Sequence, residues 1–396
     1  MIPILTKKKE KKKEKLSRVT HGHWAGGFGF PNGYETLGPS SEKLSSGPGT
    51  DNPRTTACIL LIYSLTANLH LRRKPAVLCN RHHVYAAVVD RTGKLLYSVG
   101  NPMRITLARS TAKPVQVLAV LETGAHEIFN LDTGDIALIC ALHSSEDKHV
   151  ARAANMLAKA RAGEADLRCG GHASLSETVN ANWARAGITP TAIHNNCSGK
   201  HAGMIAGARA LGTRIEDYHR LEHPLQGQVR HAIADLSGLD PRDVVWCIDG
   251  CNLLVPALPL QYLATVFGRL AESADEVQRS LDSGSTTART RHLHPELVAG
   301  QGRFCTTLMH AYGGAVVGKL GADGCYGVAR LASRSKSKNG NIGMLYAAVM
   351  EILQQLGIGT PEIWHRLARF HHPKLVNTAG VTTGSVKFDF KVQKAL

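Results

Sequence analysis

Apolar and polar positions alternate near both ends of the chain and follow a helical period in the middle. Residues 83–90 and 95–100 predict two strands joined by a turn at 91–94, and an apolar helical run follows at 115–121. Further helices are predicted at 148–162, 199–211, 223–237, 260–274 and 344–356, and further strands at 315–320, 324–329 and 380–390. This order indicates an α/β fold whose sheet is built from both chain ends around an inserted helical region.

The first 75 residues differ from this pattern. A lysine block at 7–15 leads into a stretch rich in Gly, Ser and Pro that runs to Pro53. We expect 1–75 to be a disordered or aberrant leader and 76–396 to be the catalytic domain. The apolar stretch 57–65 is shorter than the roughly 20 residues that span a bilayer, so a buried strand or helix is expected there.

Charge and cysteine content narrow the class of protein. The formal net charge is +16, and the lysine block supplies a good part of it without needing a fold. Aromatic residues make up 5% of the chain and are not interleaved with basic ones, which disfavours nucleic-acid binding. Nine scattered cysteines do not resemble a secreted disulfide scaffold, so a reducing, cytoplasmic location is expected, with no membrane partner.

Ser110 and Lys113 lie three residues apart, where the predicted strands give way to the apolar helix. A serine hydroxyl is a weak nucleophile, and an unprotonated amine on the same side of a helix can take its proton. Four other Ser-Lys pairs have the same spacing, so the sequence context, rather than the spacing, favours Ser110. An ordinary helix start is the competing interpretation.

Cys197, His201 and Cys251 form a second group with possible chemistry. Two thiolates and an imidazole could fill three corners of a tetrahedral zinc site, with water at the fourth. The spacing lacks the CxxC and HxxxH patterns of specific zinc sites. Two buried cysteines that act as small apolar residues are therefore an equally open interpretation.

Several segments taken together resemble the asparaginase II family of serine-dependent, zinc-containing asparaginases. The segments are 108–114 (ARSTAKP), 143–147 (HSSED), 167–172 (LRCGGH), 196–201 (NCSGKH), 249–252 (DGCN) and 318–324 (GKLGADG). They occur in the family's order over roughly residues 75–390. The resemblance implies a fold like that of penicillin-recognising enzymes and serine glutaminases, and hydrolysis of L-asparagine to aspartate and ammonia.

The resemblance also implies a role for each matching residue. Ser110 matches the family's nucleophile, Lys113 its activating base, and Lys319 the lysine of a second serine-lysine pair. Lys200 takes the place of His201 as the zinc ligand between Cys197 and Cys251, which is admissible because zinc favours the neutral amine. The residues expected to contact substrate are Arg109, His201, Asp249 and Cys305.

Two features depart from the family pattern. The serine of the second pair is replaced by Leu142, which has no hydroxyl to pass a proton to or from Lys319 unless Ser144 or Ser145 takes its place. The polar stretch 331–343 stands where the family has a longer segment that includes an apolar strand. Together with the aberrant leader, the shortened segment suggests a divergent member or an imperfect gene model.

Three functions are therefore considered from the sequence. The first is an asparaginase acting on a small-molecule substrate through Ser110, with Zn²⁺ as cofactor. The second is a weakly active or inactive homologue that binds zinc and a small amino acid. The third is an acylating amide hydrolase of the penicillin-recognising type, which would not need the metal cysteines. A homodimer is one assembly that the sequence leaves open.

Overall fold

The protein is a mixed α/β structure in which strands gather towards both ends of the chain. A computed structural model describes residues 57–64, 69–71, 77–79, 82–282, 294–330 and 343–395. The described strands are β1 Ala57–Ser64, β2 Leu69–Leu71, β3 Val77–Cys79, β4 His83–Asp90, β5 Leu95–Val99, β6 Ile105–Leu107, β7 Val245–Ile248, β8 Leu254–Pro259, β9 Val316–Gly321, β10 Cys325–Arg330, β11 Leu375–Val376, β12 Thr382–Gly384 and β13 Gln393–Lys394.

The helices fill the middle of the chain and the region near its end. They are α1 Lys113–Glu122, α2 Ala125–Ile128, α3 Thr133–Ile139, α4 Asp147–Lys159, α5 Glu177–Ala186, α6 Ser198–Ala210, α7 Pro224–Ser237, α8 Leu260–Asp282, α9 Pro295–Val298, α10 Phe304–Ala311, α11 Gly343–Gln355 and α12 Pro361–His371. Among the described residues, no helix combines the length and apolarity needed to cross a bilayer.

The largest sheet joins strands from both ends of the chain, as the hydrophobic pattern predicted. Its order is β13-β5-β4-β1-β10-β9, and every neighbouring pair is antiparallel. Ala86 and Val88 on β4 point into one core, and Ala87 and Val89 point into the other. Because successive strand residues face opposite sides, this alternation shows that β4 is covered on both faces.

Two smaller sheets accompany it. One has the order β6-β8-β7 and the other β11-β12-β2-β3. The sheet β6-β8-β7 carries several predicted site residues, because Ser110 comes just after β6, and Asp249 and Cys251 lie in the turn between β7 and β8.

The structure corrects two expectations. The predicted leader of 1–75 extends too far, because β1 pairs with both β4 and β10, and β2 pairs with β3. The strand at 57–64 agrees instead with the apolar stretch in that part of the sequence. The predicted strand over 380–390 was also wrong, because only Thr382–Gly384 is paired; farther along, Gln355 on α11 is hydrogen-bonded to the backbone of Phe390 and Val392.

Two other expectations concern residues outside the described ranges. The lysine block at 7–15 lies outside them, and so does 331–342, which is nearly all of the shortened polar segment. The likeness to the fold of penicillin-recognising enzymes stays a prediction.

Candidate active site

Ser110 lies in a single 3₁₀ turn, Arg109–Ala112, that leads into α1. Arg109 has φ +49°, which is a left-handed backbone conformation. This conformation is energetically unfavourable for any residue other than glycine, and such residues cluster at functional sites. The Ser110 side chain is only 3% exposed. Within the described part of the chain its hydroxyl makes no hydrogen bond.

Lys113 is fully buried at the start of α1. Its amine donates one hydrogen bond to the carbonyl of Ala141 and another to Cys197 Sγ, at 3.1 Å. The predicted base therefore lies one turn after the predicted nucleophile. It is also bonded directly to one of the predicted zinc ligands.

Lys319 is buried on β9, a strand that packs against the turn carrying Ser110. Its amine donates to the carbonyl of Leu320 at 2.7 Å. Burial, assisted by the positive charge of Lys113, lowers the pKa of Lys319 to about 7. A substantial fraction of molecules therefore holds Lys319 as a neutral amine near pH 7.

Leu142 lies beside the residues that hold Lys113. Its side chain is buried in the main core, and its backbone N–H donates to the carbonyl of Val298 at 3.0 Å. The Leu142 carbonyl accepts a hydrogen bond from the guanidinium of Arg303. The hydrocarbon side chain is thus a well-packed part of the structure.

Neither neighbouring serine replaces the missing hydroxyl in this structure. Ser144 Oγ accepts from Arg303 at 3.3 Å, and Ser145 Oγ donates to the carbonyl of His194 at 2.6 Å. In the described part of the chain neither hydroxyl is hydrogen-bonded to Lys319.

The predicted zinc ligands come together between α6 and the β7–β8 turn. Lys200 Nζ lies 3.1 Å from Cys251 Sγ, and both side chains are buried. The neighbouring Cys197, with the charge of Lys200, outweighs burial and lowers the pKa of Cys251 well below its usual range. The neighbouring Cys251, together with burial, raises the pKa of Cys197 to about 12, and the Cys197 thiol donates to Asn196 Oδ1 at 3.0 Å.

The separation of two of these three donor atoms can be compared with zinc geometry. Bonds of about 2.3 Å to sulfur and about 2.0 Å to nitrogen, at a tetrahedral angle, place the two donor atoms about 3.5 Å apart. The observed separation of Lys200 Nζ and Cys251 Sγ is 3.1 Å, so a small shift would admit the ion. Two sulfurs and an amine leave a fourth position for water or substrate.

The alternative set with His201 in place of Lys200 is not assembled. Among the described residues, no group of three or more His, Cys, Asp and Glu side chains could hold a metal ion. Instead, His201 Nδ1 is hydrogen-bonded to the hydroxyl of Tyr218 at 2.5 Å. Burial and the charge of Lys200 lower the pKa of His201 to about 3, so the ring is neutral.

Arg109 joins the active-site turn to two carboxylates. Its Nε lies 2.7 Å from Asp249 Oδ1, and Nη1 forms an ion pair with Asp323. Burial opposes ionisation of Asp249, but the charges of Lys200 and Arg109 outweigh it and hold the pKa of this carboxyl below its usual value. Asp249 is therefore an anion amid several cations.

Cys305 is buried on α10 and accepts a hydrogen bond from the Tyr326 hydroxyl at 3.4 Å. The helix α10 packs against β9, the strand that carries Lys319. Cys305 therefore lies on the side of the site that faces β9.

The comparison with protein families identifies the family of this chain. The family model of L-asparaginase II matches residues 70–388, which is most of the chain. The protein belongs to the L-asparaginase II family. The match includes all the predicted site residues and confirms the family that the sequence motifs indicated. None of the curated proteins matches the chain.

In this L-asparaginase II family member, the structure brings three side chains to the site that the sequence analysis did not identify. They are Arg303, Tyr218 and Asp323. Asp323 precedes Gly324 in a turn signal, which could have placed it at a hairpin end but not against Arg109. Arg303 and Tyr218 lie in no pattern with chemical meaning, and only the fold brings them to the site.

Proposed function

We propose that this protein is an amidohydrolase that releases ammonia from L-asparagine through an acyl-enzyme on Ser110. Membership of the L-asparaginase II family supports amide hydrolysis in general. The observation that carries the specific proposal is the buried Ser110 hydroxyl, unengaged within the described part of the chain, one turn before the buried Lys113. That arrangement suits a nucleophile and its base.

The hydrogen bonds of Lys113 support its role as the base. Both partners, the Ala141 carbonyl and Cys197 Sγ, accept hydrogen bonds from the amine. A neutral amine has two N–H groups and one lone pair. In that form the amine would keep both N–H groups on these partners and use the lone pair to receive the proton of Ser110.

In the proposed reaction, Ser110 Oγ forms a bond to the side-chain carbonyl carbon of the substrate while its proton passes to Lys113. Collapse of the tetrahedral intermediate breaks the C–N bond, and the proton from Lys113 leaves with ammonia. Water then hydrolyses the ester and releases aspartate. Lys319, with its pKa near 7, can accept or return a proton in either half of the reaction.

Charges around the site suit a zwitterionic amino acid. Arg109 presents a partly exposed guanidinium that can pair with a substrate carboxylate, and Asp249 can attract the substrate's ammonium group. Cys197, Lys200 and Cys251 are the residues that would hold Zn²⁺ in this proposal, where the ion would supply Lewis-acid polarisation of a substrate oxygen.

The test is ammonia release from L-asparagine and L-glutamine by Ser110→Ala beside the wild type. We expect the variant to lose activity with its melting temperature unchanged, because only one hydroxyl is removed. Ser237→Ala, which removes a buried hydroxyl from α7, is the matched control. Elemental analysis should find about one zinc per chain in all three proteins.

Activity of Ser110→Ala within about tenfold of the wild type, equivalent to roughly 1.4 kcal/mol of barrier, would contradict the nucleophile. Absence of zinc, with Cys197 and Cys251 resistant to alkylation, would instead favour two buried structural cysteines.

A further inference from the structure

The guanidinium of Arg109 is shared between two carboxylates that differ in burial. Its Nε lies 2.7 Å from Asp249 Oδ1, and its Nη1 forms an ion pair with Asp323. The side chain of Asp249 is 7% exposed, whereas that of Asp323 is 73% exposed. One partner is thus held inside the protein, and the other reaches Arg109 from the surface.

Asp323 is the middle residue of the three-residue turn between β9 and β10, whose last paired residues are Gly321 and Cys325. A Cβ atom added at Gly321 would lie 3.1 Å from the carbonyl oxygen of Ala108. On the other strand, Cys325 Sγ lies 3.6 Å from Thr111 Oγ1. The base of this hairpin therefore packs against the turn that carries the proposed nucleophile, and its tip reaches the guanidinium.

The two aspartates leave Arg109 without a complete edge for a third carboxylate. A guanidinium recognises a carboxylate best when two neighbouring nitrogens donate in parallel to its two oxygens. Such an edge consists either of Nε with one terminal nitrogen or of the two terminal nitrogens. Asp249 engages Nε and Asp323 engages Nη1, so each edge already has one nitrogen in use. A substrate carboxylate therefore gains the two-bond arrangement by displacing one aspartate.

The exposed aspartate is the one that can leave. Asp249 is buried, and its Oδ1 also accepts the backbone N–H of Gly250 at 2.9 Å. Within the described residues, the carboxylate of Asp323 has no hydrogen bond except that from Arg109, and water can solvate it when the ion pair opens. Breaking a buried ion pair is costly, whereas an exposed one contributes little.

We propose that Asp323 competes with the substrate carboxylate for Arg109. In the resting enzyme Asp323 occupies the guanidinium, and it gives way when the substrate binds. It acts only through Arg109 and takes no part in bond making. The identity of the ligand rests on the proposed function. The proposal predicts a direction, because removing a competitor strengthens substrate binding, whereas removing a residue that supports Arg109 weakens it.

Asp323→Asn tests this direction in the full enzyme. Asparagine adopts the left-handed conformation of this position, φ +54°, as aspartate does, so the turn is retained. We expect KM for L-asparagine to fall about threefold with kcat unchanged, as suits the loss of one exposed charge pair. Asp240→Asn, which removes the partner of the exposed Arg242, is the matched control and should leave KM unchanged.

Binding without turnover gives a second measurement. L-Aspartate and L-isoasparagine differ only in the α-carboxyl group, which is an amide in L-isoasparagine. By calorimetry, L-aspartate should bind about threefold more tightly to Asp323→Asn than to the wild type, because its α-carboxylate no longer competes for Arg109. L-Isoasparagine should gain little. Asp323→Gly also keeps the left-handed backbone and should give the same result, so the test does not depend on one variant.

Weaker or unchanged binding of L-aspartate to both variants would overturn the proposal, and so would an equal gain for L-isoasparagine. Tighter binding of L-aspartate alone supports it, even if the protein proves not to hydrolyse asparagine. Hydrolysis of asparagine with an unchanged KM in both variants would overturn the role of Asp323 and leave the proposed function standing.

Discussion

At the scale of single residues, Leu142 lies next to two backbone carbonyls that accept hydrogen bonds from basic side chains. The carbonyl before it, on Ala141, accepts from Lys113, and its own carbonyl accepts from Arg303. These bonds involve the backbone and do not depend on the side chain at 142. A hydroxyl could therefore be introduced here without removing the contacts that hold either cation.

We expect Leu142→Ser to raise asparaginase activity at least about tenfold, because one positioned proton-transfer group typically contributes about 10²–10⁴-fold. The rate of ammonia release at saturating L-asparagine is the measurement. The same substitution should lower stability by roughly 2–4 kcal/mol, because a buried leucine is lost from the core.

Leu142→Ala separates these two effects, since it creates a similar cavity and supplies no hydroxyl. If Leu142→Ala gains as much activity as Leu142→Ser, space rather than proton transfer limits the enzyme. If the wild type already matches Leu142→Ser, the leucine is a neutral difference from the family.

The pKa of Lys319 leads to a prediction about pH. Burial lowers this pKa to about 7, and the neutral amine is the form that can accept a proton. We therefore expect kcat/KM to rise with pH through about 7 and then to level off. Replacing Lys319 by Gln should remove this step from the pH profile, and a wild-type profile that is flat between pH 6 and 8 would exclude Lys319 from proton transfer.

At the scale of elements, α6 brings Lys200 and His201 to the site because its first turn packs closely against α3. A Cβ atom added at Gly199 would lie 2.5 Å from Leu138 Cγ and 2.6 Å from the Leu138 carbonyl oxygen. Backbone cannot move aside as a flexible side chain can. Gly199 therefore sets the distance between the two helices.

We expect Gly199→Ala to lower the free energy of unfolding by about 1–3 kcal/mol, as overpacking does, and to reduce zinc content because Lys200 follows directly. Gly227→Ala is the control in α7, where an added Cβ meets nothing within 4 Å. There alanine should stabilise the helix by about 0.5–1 kcal/mol. Thermal unfolding and metal analysis of both variants are the measurements, and equal effects of the two would contradict this packing argument.

The elements show why some of the fold could be predicted and some could not. The strand β4 has the predicted bounds because its alternation and the following turn are both local signals. The strand β8 was not predicted, because Pro256 and Pro259 argue against a strand in the sequence. In the structure β8 is nevertheless paired with β6 on one side and β7 on the other.

The same reasoning applies to the site. The resemblance to the family suggested Ser110, Lys113 and the metal ligands by their positions in motifs. The contact between Lys113 and Cys197 could not be predicted, because it joins residues far apart in the chain that only packing brings together. The choice of Lys200 over His201 came from the resemblance as well, and in the structure the imidazole of His201 is hydrogen-bonded to Tyr218.

At the scale of the whole molecule, the two ends of the chain should differ in their effect on stability. The last residues add β13 beside β5, and Val392 donates its N–H to Gln355 on α11 at 2.9 Å. Removing 389–396 should therefore lower the melting temperature by at least about 3 °C.

Removing 1–20 should leave melting temperature and activity unchanged, because a lysine block has nothing to bury. A fall of several degrees on removing 1–20 would show that this segment packs.

The position of β1 in the large sheet has a consequence for synthesis of the protein. Ile59 pairs with Val88 on one side and with Val328 on the other. At about 5–20 residues per second, β10 leaves the ribosome on the order of tens of seconds after β1. During that interval β1 can pair with β4 alone, and its other edge is open to strands of neighbouring nascent chains. A chaperone that shields strand edges would therefore be needed most before β10 arrives, and much less once the chain is complete.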